Sequence, residues 1–165
     1  MKELLIVAAI LVSGSAFADS QIFDTAKEAN FKSCLSTVAE LENFFGDGVS
    51  YGNWSQWAKE NADKQPFTST IELTFKDGVH LVDLTIAPSS DGTCSYLYTR
   101  NWFSSKSCIA ASKEPFMKDF EYKTEINQKI SGFQKGAVKI FLTPAGDGCL
   151  VQKKEVGFRH KKQGA

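Results

Sequence analysis

The stretch from residue 67 to residue 88, FTSTIELTFKDGVHLVDLTIAP, decides the fold of this chain. Apolar and polar side chains alternate over residues 67–75, and this period of two predicts a half-buried β-strand. Asp77 and Gly78 then supply a tight turn, since this dipeptide readily adopts the positive φ angles of hairpin turns. Residues 79–87 are predicted to return as the second strand of an antiparallel hairpin.

The sequence after this hairpin predicts more strands of the same sheet. The Pro- and Gly-containing segment 88–92 is a second turn, which a third strand follows. Ser107 can cap a second helical segment from Cys108 to about residue 120, interrupted near Pro115. The remaining strands are predicted over residues 122–131, 137–143 and 149–156. We therefore expect an antiparallel, mostly meander sheet of about six strands, with the second helical segment between strands three and four.

The sequence before the hairpin predicts a long N-terminal helix that packs on this sheet. Asp24 can cap it, and Gly46 is the expected stop. A short further helix is predicted over residues 54–61, capped by Asn53. The fold class is therefore α+β. The apolar positions of the long helix recur at the helical period on one face: Phe31, Cys34, Leu35, Val38, Leu41 and Phe45.

The N-terminal residues 1–18 have the parts of a secretory signal peptide. An apolar run over residues 4–12 follows Lys2, and Ala16-Phe17-Ala18 forms an A-x-A cleavage site. The run is too short to span a membrane. We expect the mature protein to be soluble in the periplasm, with secretion beyond it as an alternative. It would comprise one α+β domain over residues 19–158 and a flexible, basic C-terminal tail over residues 159–165.

Composition excludes some classes of partner. Lysine plus arginine and aspartate plus glutamate each number 19 in the full chain, so the formal net charge is zero. A neutral protein is not built to coat nucleic acid or anionic lipid. We therefore expect no nucleic-acid partner and no stable membrane insertion after signal cleavage. The basic residues from Lys153 to Lys162 are interpreted as solvated.

The four cysteines are predicted to form two disulfides, as an even number in an oxidising compartment indicates. A metal site is not expected, because there is no C-x-x-C motif and only two histidines are present. If residues 93–103 form one strand, Cys94 and Cys108 are too far apart to bond. In a simple meander the sixth strand begins at the end of the sheet where the third strand finishes, which places Cys149 near Cys108 and leaves Cys34 to meet Cys94. The favoured pairs are therefore Cys34–Cys94 and Cys108–Cys149, with the other two connectivities left open.

Signatures of catalysis are mostly absent from the sequence, and no cofactor is expected. There is no G-x-S-x-G elbow, S-x-x-K motif, phosphate loop, H-E-x-x-H motif or EF-hand loop. His80 is interpreted as an ordinary strand histidine, and Asp83 as an outward-facing strand residue. The alternative is a small hydrolase whose site combines these two side chains, which requires them to meet in one cleft.

The aromatic residues carry the strongest indication of function. Tyr96, Tyr98, Arg100 and Trp102 fall on one face of the third strand, and Tyr, Trp and Arg are enriched at binding hot spots. Trp54 and Trp57 form a second candidate group. The competing interpretation is that Tyr96 and Tyr98 belong to the core under the first helix.

Together these features predict a non-enzymatic binding protein, of an inhibitor or immunity type that acts on a protein partner. Missing catalytic signatures, the disulfide framework and the aromatic strand face all favour this class. The hydrolase with a dispersed site is one alternative. A carrier of an apolar small ligand is the other, and it would need a large cavity between the helix and a curved sheet.

Overall fold

The computed structural model describes residues 21–160 and consists of one eight-stranded antiparallel sheet with helices on one face. The helices are α1 (Gln21–Glu28), α2 (Leu35–Gly46) and α3 (Cys108–Ala111), with 3₁₀ turns at Ala62–Lys64 and Pro115–Met117. The strands are β1 (Ser50–Gln56), β2 (Phe67–Phe75), β3 (Gly78–Pro88), β4 (Thr93–Ser104), β5 (Glu121–Glu125), β6 (Ser131–Lys135), β7 (Val138–Ala145) and β8 (Gly148–His160).

The sheet consists of two four-stranded meanders that join in the middle. The strand order is β1-β2-β3-β4-β8-β7-β6-β5, so the chain leaves β4, crosses to the far edge and returns strand by strand. β4 and β8 pair from Thr93↔His160 to Ser104↔Cys149 without a register shift. The predicted α+β class and antiparallel sheet are confirmed, although the return of β8 to β4 makes the sheet more than a simple meander.

All helical elements cover the same face of the sheet, which we call the helix-bearing face; the other is the open face. α1 and α2 pack over β1 to β4, and α3 with the Pro115–Met117 turn packs over β7 and β8. Two buried clusters result. The larger includes Ile22, Phe31, Val38, Phe67, Ile71, Leu84 and Tyr98, and the smaller includes Ala111, Met117, Ile140, Leu142 and Val151.

Both predicted disulfides are confirmed. Cys34 bonds Cys94, and Cys108 bonds Cys149, with Cα–Cα distances of 5.8 Å and 5.0 Å. They close loops with sequence separations of 60 and 41 residues. In the chain-entropy account each contributes about 4 kcal/mol to stability. One disulfide attaches the start of α2 to β4, and the other attaches α3 to β8.

The predicted long N-terminal helix is wrong, because two helices replace it. α1 ends in a Schellman motif in which Asn30 takes the left-handed conformation, with φ of 60°. The Phe31 amide donates to the Ala26 carbonyl and the Asn30 amide donates to the Lys27 carbonyl. Cys34 therefore precedes α2 instead of lying within a continuous helix. The predicted stop at Gly46 is confirmed.

The strand count of about six is also corrected. The predicted helix over residues 54–61 is wrong, since Ser50–Gln56 pairs with β2 as an edge strand. The strand predicted over residues 122–131 is only partly correct, since β5 ends at Glu125; β6, which pairs with β5, lies almost wholly beyond the predicted range. The second helical segment is short, and it is broken before Pro115 as expected. In β1 the pairing with β2 overrides a weak local pattern.

The chain ends differ in how far the prediction can be compared with the structure. β8 continues to His160, where Arg159 and His160 pair with Cys94 and Thr93, so these two residues belong to the sheet and not to the predicted tail. The predicted signal peptide, residues 1–18, lies outside the described residues, as do residues 161–165. Within residues 21–160, no helix is both long enough and apolar enough to cross a membrane.

A buried carboxylate fixes α1 against the rest of the fold. Glu42 of α2 accepts hydrogen bonds from the Ile22 and Phe23 amides at 2.8 Å and 3.0 Å. These are first-turn amides of α1 that have no partner within their own helix. Glu42 also accepts the Tyr51 hydroxyl at 2.6 Å, so one side chain joins α1, α2 and β1. Among the described residues it is one of few buried polar side chains.

We predict that Glu42→Gln destabilises the protein by about 2 kcal/mol, because an amide cannot accept from both α1 amides and the phenol together. Urea unfolding monitored by circular dichroism would measure this. Glu40→Gln is the matched control, since Glu40 lies in the same helix and is exposed, where it forms an ion pair with Arg159 at 3.4 Å. Its effect should stay within about 0.5 kcal/mol. Equal effects of the two changes would contradict the assigned role of Glu42.

Candidate functional site

The predicted aromatic face of β4 divides into a core half and a cleft half. Tyr96 and Tyr98 are buried in the larger cluster, which confirms the competing interpretation that they belong to the core. Their hydroxyls donate to Glu155 of β8 at 3.1 Å and 2.8 Å. Arg100 and Trp102, farther along the same face, line a cleft instead. The binding hypothesis for β4 therefore applies to these two residues only.

Trp54 and Trp57 do not join that cleft. Trp54 lies on the edge strand β1 with its side chain 77% exposed, on the open face of the sheet. Trp57 follows β1 and stacks on Phe67, with ring centroids 6.3 Å apart. The structure thus separates the two predicted aromatic groups, and the candidate site is built around Arg100 and Trp102.

The cleft lies on the helix-bearing face between the two helical regions and has a volume of about 490 Å³. Its floor comes from the middle of β4 and β8 and from β7. One wall is the β2–β3 turn, and the other is the segment that follows β4. The lining residues include Asp77, His80, Arg100, Trp102, Lys153 and, on the second wall, Phe116 and Phe120.

Two cations on neighbouring strands form the floor. Arg100 of β4 lies directly opposite Lys153 of β8 in the register. Both are half-buried, and in the part of the chain that the structure describes neither has a carboxylate within ion-pair distance. Lys106 is already paired with Glu114. The free positive charge of the cleft therefore comes from Arg100 and Lys153.

Burial destabilises the charged form of both cations. It lowers the pKa of Arg100, and it lowers the pKa of Lys153, which the neighbouring Arg100 charge lowers further while Glu155 opposes the shift. The Lys153 ammonium lies 5.9 Å from the Tyr98 ring centroid, and aromatic faces support cations only weakly. An anion in the cleft would favour the charged form of both groups.

A neutral histidine orients the arginine. Arg100 Nε donates to His80 Nδ1 at 2.8 Å, which places the imidazole proton on Nε2. His80 is stacked on Trp102 at 5.1 Å and contacts Phe75 at 4.5 Å. Burial, followed by the Arg100 charge, lowers the pKa of His80 to about 4, although Asp77 opposes the shift. The terminal Nη groups of Arg100 remain for a ligand, because Nε makes the contact with His80.

Trp102 and Phe116 form an aromatic wall of the cleft, and a disulfide holds the segment that carries Phe116. Phe116 meets Trp102 edge-on, with ring centroids 5.3 Å apart, and also lines the cleft. Phe116 belongs to the segment that begins at Cys108, which is bonded to Cys149 at the start of β8. Covalent attachment of this segment over β7 and β8 therefore fixes the distance between the aromatic wall and the two cations.

The hydrolase alternative based on His80 and Asp83 is wrong in that form. The two residues are three positions apart in one strand, so their side chains point to opposite faces of the sheet. His80 lines the cleft, whereas Asp83 is exposed and accepts a hydrogen bond from Thr70 at 3.0 Å. They share no cleft, and a proton could not pass between them through one water.

Lys153 and Phe116 are functional candidates that the sequence interpretation missed. The sequence interpretation places Lys153 among the solvated basic residues near the C-terminus, but its side chain points to the same face as Cys149 and Val151. The period-two alternation from these two buried residues would have placed it inward. Nothing comparable in the sequence indicates Phe116, because its position depends on the Cys108–Cys149 bond.

Comparisons with protein families, curated protein sequences and solved structures find no match to this chain. Residues 21–160 contain no group of three or more His, Cys, Asp or Glu side chains that could hold a metal ion. The residues that line the cleft therefore indicate what it binds. Its charged floor and aromatic wall suit an anionic group carried on an apolar or aromatic body. A charged lining does not favour a purely apolar ligand.

We predict that His80 lowers stability as the solution becomes acidic. Its folded-state pKa lies below the ordinary value of 6.5, so the unfolded chain takes up a proton first as the pH falls. Stability should be unaffected by His80 above about pH 6.5, decrease between about pH 6.5 and 4, and level off below. Urea midpoints of the wild type and His80→Gln across this range isolate the effect from that of the carboxylates. Parallel pH profiles of the two proteins would contradict the assignment.

Proposed function

We propose that this protein is an extracytoplasmic, non-enzymatic binding protein that receives an acidic side chain of a protein partner in the cleft, and thereby inhibits or neutralises that partner. One observation carries the proposal: Arg100 and Lys153 lie side by side, half-buried and without a carboxylate partner among the described residues. The periplasm is the compartment we propose, on the basis of the predicted signal peptide.

The energetics of the two cations support an anionic ligand. Partial burial without a partner costs free energy, since each charge loses part of its hydration. Two like charges on opposed positions of neighbouring strands add repulsion. A carboxylate between them would relieve both costs at once. The guanidinium and the ammonium could then donate charge-assisted hydrogen bonds, which are about twice as strong as neutral ones.

The surroundings of the cations favour a protein-borne carboxylate over a free one. Trp102 and Phe116 form an aromatic wall beside the charges. Tyr, Trp and Arg dominate the energetics of protein interfaces, where an anchor fills a pocket and apolar neighbours exclude water. An aspartate or glutamate with an apolar flank matches both parts of this lining.

The disulfides support a location outside the cytoplasm. Both bonds are formed, and no free cysteine is present in residues 21–160. Disulfides persist in oxidising compartments and are rare in the cytosol. The second disulfide also holds the aromatic wall of the cleft, so the oxidised form is the one that we expect to bind.

We predict that Lys153→Gln weakens partner binding by about tenfold or more, equivalent to about 1.4 kcal/mol, because one of two cations is lost. The matched control is Lys154→Gln, which removes the same charge from the next residue of β8, on the open face. The oxidised mature protein would be used to capture a partner from periplasmic extract, and the affinity of the purified partner measured by calorimetry for all three proteins.

Three further titrations identify the recognised group. A short glutamate-rich peptide should bind and compete with the partner, whereas a lysine-rich peptide of equal length should do neither. Equal affinities of the two lysine variants for the partner would exclude the cleft as the binding site. Binding of acetate as tight as that of the glutamate-rich peptide would instead show a site for free carboxylates, and would contradict the proposal of a protein partner.

A further inference from the structure

The two edges of the sheet differ in how they are protected against pairing with another chain. Natural edge strands carry charges, prolines or bulges, because an unprotected edge offers free backbone donors and acceptors. β5, at one edge, has an irregular register and several charges: its pairing with β6 shifts between Tyr122 and Thr124, and three of its five residues are charged. Those residues are Glu121, Lys123 and Glu125.

β1, at the other edge, has no charge, no proline and no register shift. Its seven residues, SYGNWSQ, include no charged residue and no proline. Its pairing with β2 runs from Ser50↔Thr74 to Gln56↔Thr68 without a register shift. Its other side has no neighbouring strand in the described sheet. This edge is therefore long, regular and uncharged, as expected for a strand that pairs with another.

The side chains of β1 indicate what it pairs with. Trp54 projects from the open face with 77% of its surface exposed, a large cost for an indole in water. Two positions earlier on the same face, Gly52 leaves open space, since a Cβ added there would meet nothing within 4 Å. Trp54, with its exposed ring, and Gly52, which has no side chain, are therefore neighbours on the open face of β1, one on each side of Asn53.

We propose that two copies of this chain pair through their β1 edges, antiparallel and centred on Asn53, so that one sheet continues across both copies. In this register Trp54 of each copy lies directly opposite Gly52 of the other, on the same face. Each indole then covers the glycine backbone, an arrangement known to stabilise strands that contain glycine. The two-fold symmetry makes this contact twice, because each copy supplies one indole and one glycine. An unrelated strand would have to carry the same pair of residues at the same spacing.

The inferred dimer leaves the cleft free. Arg100 and Lys153 lie on β4 and β8, and β2 and β3 separate β4 from β1. The dimer would therefore present two clefts, and a partner with two acidic sites would bind with increased avidity. Because the contact is one strand pair, we expect a weak association that dissociates on dilution. This inference does not depend on the proposed function of the cleft.

We predict that Trp54→Lys abolishes dimerisation, measured by sedimentation velocity of the oxidised mature protein over a range of concentrations. The substitution removes the ring and places a charge in the register, and the exposure of Trp54 means that folding should be unaffected. Phe158→Lys is the matched control: Phe158 is an apolar residue of the open face, 65% exposed, on the central strand β8. It should dimerise like the wild type.

Amide hydrogen exchange supplies an independent readout that does not require a variant. Outward-facing amides of β1 should become protected as the concentration rises, while those of β5 should not change. A wild type that stays monomeric at its highest attainable concentration would overturn the proposal. So would a dimer that survives Trp54→Lys, or one that Phe158→Lys abolishes, since the latter would place the contact on the open face and not at the edge.

Discussion

The pairing of β4 with β8 is the constraint on which the rest of the structure depends. These are the two longest strands, and their register runs unbroken from Thr93↔His160 to Ser104↔Cys149. The partners are distant in sequence, so this ladder closes a long loop and must form against a large entropic cost. Once it has formed, it joins the two meanders into one sheet and sets the positions of both disulfides.

The same ladder creates the cleft. It places Arg100 opposite Lys153 and, two positions along, Trp102 opposite Val151. Opposed cations are unfavourable in a strand pair. They are retained here at a part of the helix-bearing face where neither helical region covers them. A local cost held in place by the surrounding fold is typical of a site prepared for a ligand.

Different faces of the molecule thus have different physical characters. The helix-bearing face combines two packed clusters with a charged cleft between them, whereas the open face has many exposed apolar side chains interspersed with polar ones. The two sheet edges differ as well, since β5 is charged and irregular and β1 is neutral and regular. Such differences would let a binding partner recognise one surface and avoid the others.

Local sequence was a sufficient guide wherever the pattern of neighbours decides the conformation. The hairpin of β2 and β3, the third strand, the break before Pro115 and the stop at Gly46 follow from period-two alternation, turn residues and caps. Strand length also separates Cys94 from Cys108, and the expected position of the sixth strand favours Cys149 as the partner of Cys108. The break at Asn30 has a local signal, since asparagine tolerates the left-handed conformation, whereas the continuous apolar stripe on either side of it favours a single helix.

The sequence by itself therefore determined the α+β class and the antiparallel hairpins, which depend on short-range geometry, and it favoured the two cysteine pairs that form. Only the tertiary structure decided that Ser50–Gln56 is a strand, because its pairing with β2 outweighs a weak local preference. Only the tertiary structure brought Lys153 to Arg100, since nothing local specifies which distant strands become neighbours. The candidate site belongs to this second category: its charges meet through a ladder between strands about 50 residues apart, and long-range pairing of this kind leaves no periodic signal in the sequence.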